Sequence, residues 1–172
     1  MPFAAGSELR LRCFVGAAIA CCLAGCAATP PPPPPPTLVN ITLSATNDVN
    51  QNEQGAGSPI QLRIYQLGSA ANFNNADFFP LYRQDAATLG PDIAKREDFE
   101  LSPGKTVTDK LSPEAPVKAI GFFAAYRDYQ NATWRASADI PPHLTTNITV
   151  TAGARGLTVK AETLPPPPKP AS

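Results

Sequence analysis

LVNITLSATNDVNQNEQGAGSPIQLRIYQL, residues 38–67, holds two stretches of one periodicity separated by a stretch of none. In Leu38–Ala45 the side chains of Val39, Ile41, Leu43 and Ala45 alternate with Asn40, Thr42 and Ser44, a period of two that predicts a half-buried strand. Ile60–Leu67 repeats it, with Ile60, Leu62 and Ile64 directed inward and Gln61, Arg63 and Tyr65 outward. Between them lies Thr46–Ser58, rich in Asn, Gln and Gly, with Val49 as its one sizeable apolar side chain. Two residues suffice to join neighbouring strands, so a connection of this length is expected to be either a solvated loop or a binding surface carried by a rigid scaffold.

Working toward the C-terminus, Ser69–Gly90 abandons strand periodicity. It carries Phe73, Phe78, Phe79, Leu81 and Tyr82 and reads as short helices, with Ser69 and Asp77 as caps and Pro80 tolerable only in a first turn. Five large apolar side chains are too many for a solvated connection, so this insertion should fold back over the sheet. Strands are then expected at Asp98–Leu101, Thr106–Leu111, Val117–Tyr126, Trp134–Ile140, Asn147–Ala152 and Leu157–Glu162. Ser102-Pro103-Gly104-Lys105 predicts a hairpin reversal, Gly121 a close approach of a neighbour, Arg127–Thr133 a polar turn, and Gly153–Gly156 the last connection. The sum is an all-β chain with short helical additions, a β-sandwich of about eight antiparallel strands at 38–163.

Toward the N-terminus, residues 1–25 have the build of an export signal: Arg10 and Arg12, an apolar run from Cys13 to Leu23, then small residues before Cys26. The run is too short for a permanent membrane span. Leu23-Ala24-Gly25-Cys26 resembles the lipobox of bacterial lipoproteins, which implies cleavage before Cys26, a diacylglyceryl group on its sulfur and an acyl chain on its amine. An ordinary signal peptide cut nearby, or a short buried helix, is the competing reading. At roughly 0.8 kcal/mol per buried methylene, several chains make a durable anchor. Ala27 and Ala28 follow where such lipoproteins often carry an acidic inner-membrane retention residue, so the resemblance implies the outer membrane, facing the periplasm. Pro30–Pro36 then forms a tether at 26–37, a polyproline spacer on the order of 22 Å long. A second proline-rich segment, 164–172, reads as a disordered tail.

Composition narrows the function. Of 172 residues, 147 remain after the signal, enough for one domain with its own core; they carry 12 basic and 13 acidic side chains, dispersed, which excludes a nucleic-acid surface. All four cysteines lie at or before Cys26, so the exported domain has neither disulfides nor thiol chemistry. The single histidine, His143, follows two prolines in a turn and is a poor catalytic base; Asp92, Glu97, Asp98 and Glu100 cluster at a strand entry where solvated charge is the ordinary outcome. The sequence therefore indicates no enzyme, no catalytic residues, no cofactor beyond the lipid, no metal and no small-molecule substrate. Arg127-Asp128 and Trp134-Arg135 could grip an anion or a sugar, yet a packed tryptophan and a hydrogen-bonded turn explain them better.

IQLRIYQL, FNNADFFPLY, LSPG and AAYRDYQNATWR, in that order behind a lipobox, resemble the TssJ family, the outer-membrane lipoproteins of type VI secretion. The resemblance covers nearly all of the exported domain. It implies a transthyretin-like sandwich with added short helices, in which the loop between the first two strands contacts the periplasmic part of the inner-membrane protein TssM. On this chain that loop is Thr46–Ser58, and Asp48, Val49, Asn50, Gln51, Asn52, Glu53 and Gln54 become the candidate contact residues, Val49 as an apolar anchor. The alternative is a periplasmic glycan- or peptide-binding lipoprotein with a pocket near Tyr126 and Trp134.

Overall fold

In the computed structural model, which describes residues 32–166, β1 (Leu38–Ala45) and β2 (Ile60–Leu67) stand where the alternating pattern puts them, but in different sheets. Three short helices follow, α1 (Ala71–Asn75), α2 (Phe78–Arg83) and α3 (Asp85–Leu89), then a 3₁₀ turn at Gly90–Asp92. The remaining strands are β3 (Ile93–Leu101), β4 (Thr106–Leu111), β5 (Ala119–Ala124), β6 (Arg135–Asp139), β7 (Thr145–Ala152) and β8 (Leu157–Thr163). They form two four-stranded sheets, ordered β4-β1-β7-β8 and β3-β2-β5-β6. The signal segment, Cys26 and residues 167–172 lie outside the described residues.

Three expectations need correction. The sandwich is not wholly antiparallel: β1 and β7 run parallel in unbroken register from Leu38↔Thr145 to Ala45↔Ala152. The reversal at Ser102–Lys105 is real, with the Lys105 amide donating to the Ser102 carbonyl at 3.1 Å and Gly104 at a φ of 72°. It makes no hairpin, however, because β3 pairs with β2 and β4 with β1, so the turn carries the chain from one sheet to the other. Tyr65 does not face solvent; it is fully buried.

The reason is that β2 is covered on both sides. Ile60, Leu62 and Ile64 join Val39, Ile41, Leu43, Ile120, Phe122, Ile148 and Val150 between the sheets, while Tyr65 and Leu67 meet Phe73, Phe78, Leu81 and Leu89 of the helical insertion together with Phe123 of β5. Burying each such side chain contributes roughly 1.5–3 kcal/mol, which is why the insertion cannot remain a solvated connection. Gly121 in β5 admits the insertion closely: a Cβ there would lie 3.0 Å from both Phe73 and Leu67. At the exposed edge, β3 presents Lys95, Arg96, Glu97 and Asp98, charges that discourage pairing with another sheet.

The connectivity defines two poles. Strand β1 runs from the proline tether to the 46–59 loop, eight residues spanning about 26 Å. At its starting pole lie Thr37, the Pro141–Leu144 turn and the exit of β8, whose following Leu164 amide donates to the Thr145 carbonyl at 2.8 Å. There His143 donates its amide to Thr37 Oγ1 at 2.9 Å, and its Nδ1 lies 2.9 Å from the Pro35 carbonyl, which ties the end of the tether to the body. At the other pole lie the 46–59 loop, the 102–105 turn, the 125–134 segment and the β7–β8 turn.

Candidate partner-binding surface

The 46–59 loop is a built object. Thr46 donates its amide to the Ala152 carbonyl at 2.9 Å and accepts the Gly104 amide at 3.3 Å, fixing the loop's root to two neighbouring turns. Its base closes where Ser58 donates to the Val49 carbonyl at 2.9 Å, and its tip where the Asn52 amide donates to Ala56 at 2.9 Å and the Gly55 amide to Asn52 at 3.0 Å. Asn52 Oδ1 accepts the amides of Gln54 and Ala56, each at 3.0 Å, an Asx-type closure that needs no neighbouring element.

Two of the candidate contact residues face inward. Val49 is 0% exposed and packs in the inter-sheet core with Ala45 and Ile60, so it is not the apolar anchor for a partner that the sequence suggested. Asn50 is buried at a φ of 48°, where its side chain accepts the Arg127 amide at 2.8 Å and donates to the Pro59 carbonyl at 3.0 Å. Asn tolerates this left-handed backbone better than most residues. Asp48, Gln51, Glu53 and Gln54 are exposed, and Asn52 is half-buried by its own tip bonds. Thr46 Oγ1 donates to Asp48 Oδ1 at 2.6 Å, holding that carboxylate beside the root.

The bond from Asn50 to Arg127 brings in residues that sequence spacing could not: a groove of about 270 Å³ runs between Asn50–Glu53, Tyr126–Asp128 with Asn131 and Ala132, and Ala154–Arg155. Tyr126 lines it and donates its hydroxyl to the Gly153 carbonyl at 3.1 Å; burial pushes that hydroxyl's pKa up. Asp128 accepts a hydrogen bond from Asn131 Nδ2 at 2.8 Å across the turn.

The neighbourhood of Trp134 is different. Its ring meets Phe78 and Phe123 edge-on, at 5.2 and 5.6 Å, with the Arg135 guanidinium 4.7 Å from its centre. Arg135 also donates to the carbonyls of Phe73 and Ala76 at the end of α1, so this pair locks the insertion down and forms no ligand cradle. Two acids of β3 are likewise engaged: Asp98 pairs with Arg63 at 3.1 Å and Arg96 at 2.9 Å, and Glu97 with Lys95 at 2.8 Å. Among the described residues no group of His, Cys, Asp and Glu is placed to hold a metal ion, and no helix is long and apolar enough to cross a membrane.

A rigid two-sheet body with its loops welded into a polar platform at one pole is a β-sandwich interaction module. The family model for type VI secretion lipoproteins, described by the names VasD, EvfM and TssJ, matches residues 37–155. The chain belongs to that TssJ lipoprotein family. Among solved structures it is similar to the type VI lipoprotein TssJ1 from Pseudomonas aeruginosa at 35% identity, covering 76% of this chain and 100% of that one, with a TM-score of 0.73. Serratia marcescens Lip, a membrane-bound component of the type VI secretion system, is 26% identical over 73% of this chain and 98% of its own, with a TM-score of 0.67. A chain in the structure of the TssM C-terminal domain from EAEC is 27% identical over 71% of this chain and 99% of its own, with a TM-score of 0.57. Among curated protein sequences none matches significantly.

Proposed function

We propose that this protein is an outer-membrane lipoprotein of the type VI secretion membrane complex, lipidated at Cys26, whose 46–58 loop binds the periplasmic part of a TssM-like inner-membrane protein and so couples the complex to the outer membrane. The observation that carries this reading is polar separation. The chain enters β1 at Leu38, twelve residues after Cys26, and the loop platform projects from the opposite end of the same strand. A lipid-held domain arranged in this way presents its loops away from its own bilayer. The relative seen in a TssM structure supplies the partner class.

Contact falls to Asp48, Gln51, Asn52, Glu53 and Gln54, while Val49 and Asn50 hold the loop in shape. A segment already closed by its own hydrogen bonds loses little conformational freedom on binding, and that favours affinity. The test is capture of the purified periplasmic part of the TssM-like partner by the lipoprotein carrying Gln51→Ala, Glu53→Ala and Gln54→Ala. Loss of capture with an unchanged melting curve is expected; unchanged capture would refute the loop assignment.

A further inference from the structure

We infer that the groove beside the loop is the specificity pocket of this surface, and that Arg127 and Arg155 there grip a single carboxylate side chain of the partner; this rests on the binding reading above.

Charge carries the argument. Arg63 and Arg96 of the second sheet are both ion-paired. Arg127 and Arg155 are exposed, line one groove, and form neither an ion pair nor a side-chain hydrogen bond among the described residues. Their backbones, in contrast, are held. The Arg127 amide donates to Asn50, and the Arg155 carbonyl accepts the Thr133 amide at 3.1 Å, with Leu157 donating to the Thr133 carbonyl at 2.8 Å. Tyr126, bonded to the Gly153 carbonyl, joins the two turns beneath them. Two guanidinium groups thus stand on fixed backbones with free donors, and a carboxylate is the planar acceptor that matches them.

The remaining walls limit what can enter. Glu53 and Asp128 face the same groove, so a run of acids would be repelled while one carboxylate flanked by amide or hydroxyl groups would not. Its volume of about 270 Å³ accommodates one or two side chains of an extended segment. Tyr126 and Ala132 add apolar carbon to the lining.

The experiment measures affinity for the purified periplasmic part of the TssM-like partner at low and high salt. Arg127→Glu with Arg155→Glu is compared with Lys110→Glu plus Lys118→Glu, an equal charge change on exposed residues at the tether pole. The arginine reversal is expected to weaken binding by about 100-fold and to remove most of its salt dependence, while the lysine reversal has little effect. Equal weakening by both pairs would mean net charge alone and would overturn the inference. If the triple loop variant abolishes binding and the arginine reversal leaves it unchanged, the pocket assignment fails while the loop assignment stands. If neither alters binding, both fail.

Discussion

Asn50 and Arg127, 77 positions apart, are joined by a 2.8 Å hydrogen bond from the Arg127 amide to the Asn50 side chain, and this bond makes one surface out of two loops. The Asn50 carboxamide also donates from Nδ2 to the Pro59 carbonyl at 3.0 Å, so Asn50 spans the loop's exit as well. Replacing it with alanine leaves a part-buried amide and a carbonyl without partners and keeps a left-handed backbone that alanine resists. A loss of about 2–4 kcal/mol is expected in urea denaturation. Asn50→Gly, which relieves the backbone but not the bonds, should recover part of it.

Asp85 anchors the helical insertion. Its Oδ2 accepts from the Tyr65 hydroxyl at 2.9 Å and from Arg96 Nη1 at 2.8 Å, and its Oδ1 accepts the Ala86 amide at 2.9 Å. Burial alone would raise the Asp85 pKa, but the hydrogen bonds from Arg96, Tyr65 and Ala86 outweigh it and hold the carboxyl below its ordinary value of 3.8. A carboxyl depressed in the folded state stabilises the protein above its unfolded pKa, and the contribution is lost as pH falls through the folded one. Asp85→Asn should therefore cost about 1–3 kcal/mol at pH 7, and the gap between variant and wild type should narrow below about pH 4. Chemical denaturation across pH 2.5–7, a window set by the carboxylate pKa range, reads both effects. A gap that stays constant over that range would contradict the assignment.

How much of this was legible in the sequence depends on the distance over which each signal acts. Val39, Ile41 and Leu43 declare a strand because alternation is local, and the helical insertion declares itself through aromatics that cannot stay solvated. Tyr65 defeated the same alternation rule: its outward face is covered by residues 73–89, and nothing within IQLRIYQL reports that cover. Ser102–Lys105 signals a reversal, but turn chemistry does not say whether the flanking strands share a sheet. The parallel pairing of β1 with β7 joins residues about a hundred positions apart and has no local signature. For the site, the long polar loop was visible, whereas the inward turn of Val49 and Asn50 and the arrival of Arg127 and Arg155 come from tertiary packing alone.

Gly57 tests loop shape apart from loop chemistry. A Cβ at this position would lie 2.2 Å from the Asn47 carbonyl oxygen, a backbone atom that can move only if the loop's root moves. Gly57→Ala should therefore displace the 51–56 tip without touching any proposed contact side chain. The expected result is at least about 10-fold weaker capture of the TssM-like partner, with a loss of about 1–2 kcal/mol in stability. Retained affinity would mean that the contacts do not depend on the closed form of the loop.

Cys26 tests the membrane end of the scheme. Lipid attachment needs the thiol, and serine keeps the size and polarity of the side chain while removing the sulfur, so Cys26→Ser tests anchoring directly. A myristoyl-length chain alone binds bilayers with an association constant of only about 10⁴ M⁻¹, whereas the multiple chains expected on Cys26 hold without measurable release. The variant should move from the outer-membrane fraction to the soluble periplasmic fraction and should still capture the purified partner with wild-type affinity. Secretion should nevertheless stop, because a coupling protein that binds its partner without holding a membrane transmits no load. Wild-type protein recovered with an unmodified amino-terminal cysteine by mass spectrometry, or a serine variant that still sediments with outer membranes, would refute the anchor at this residue.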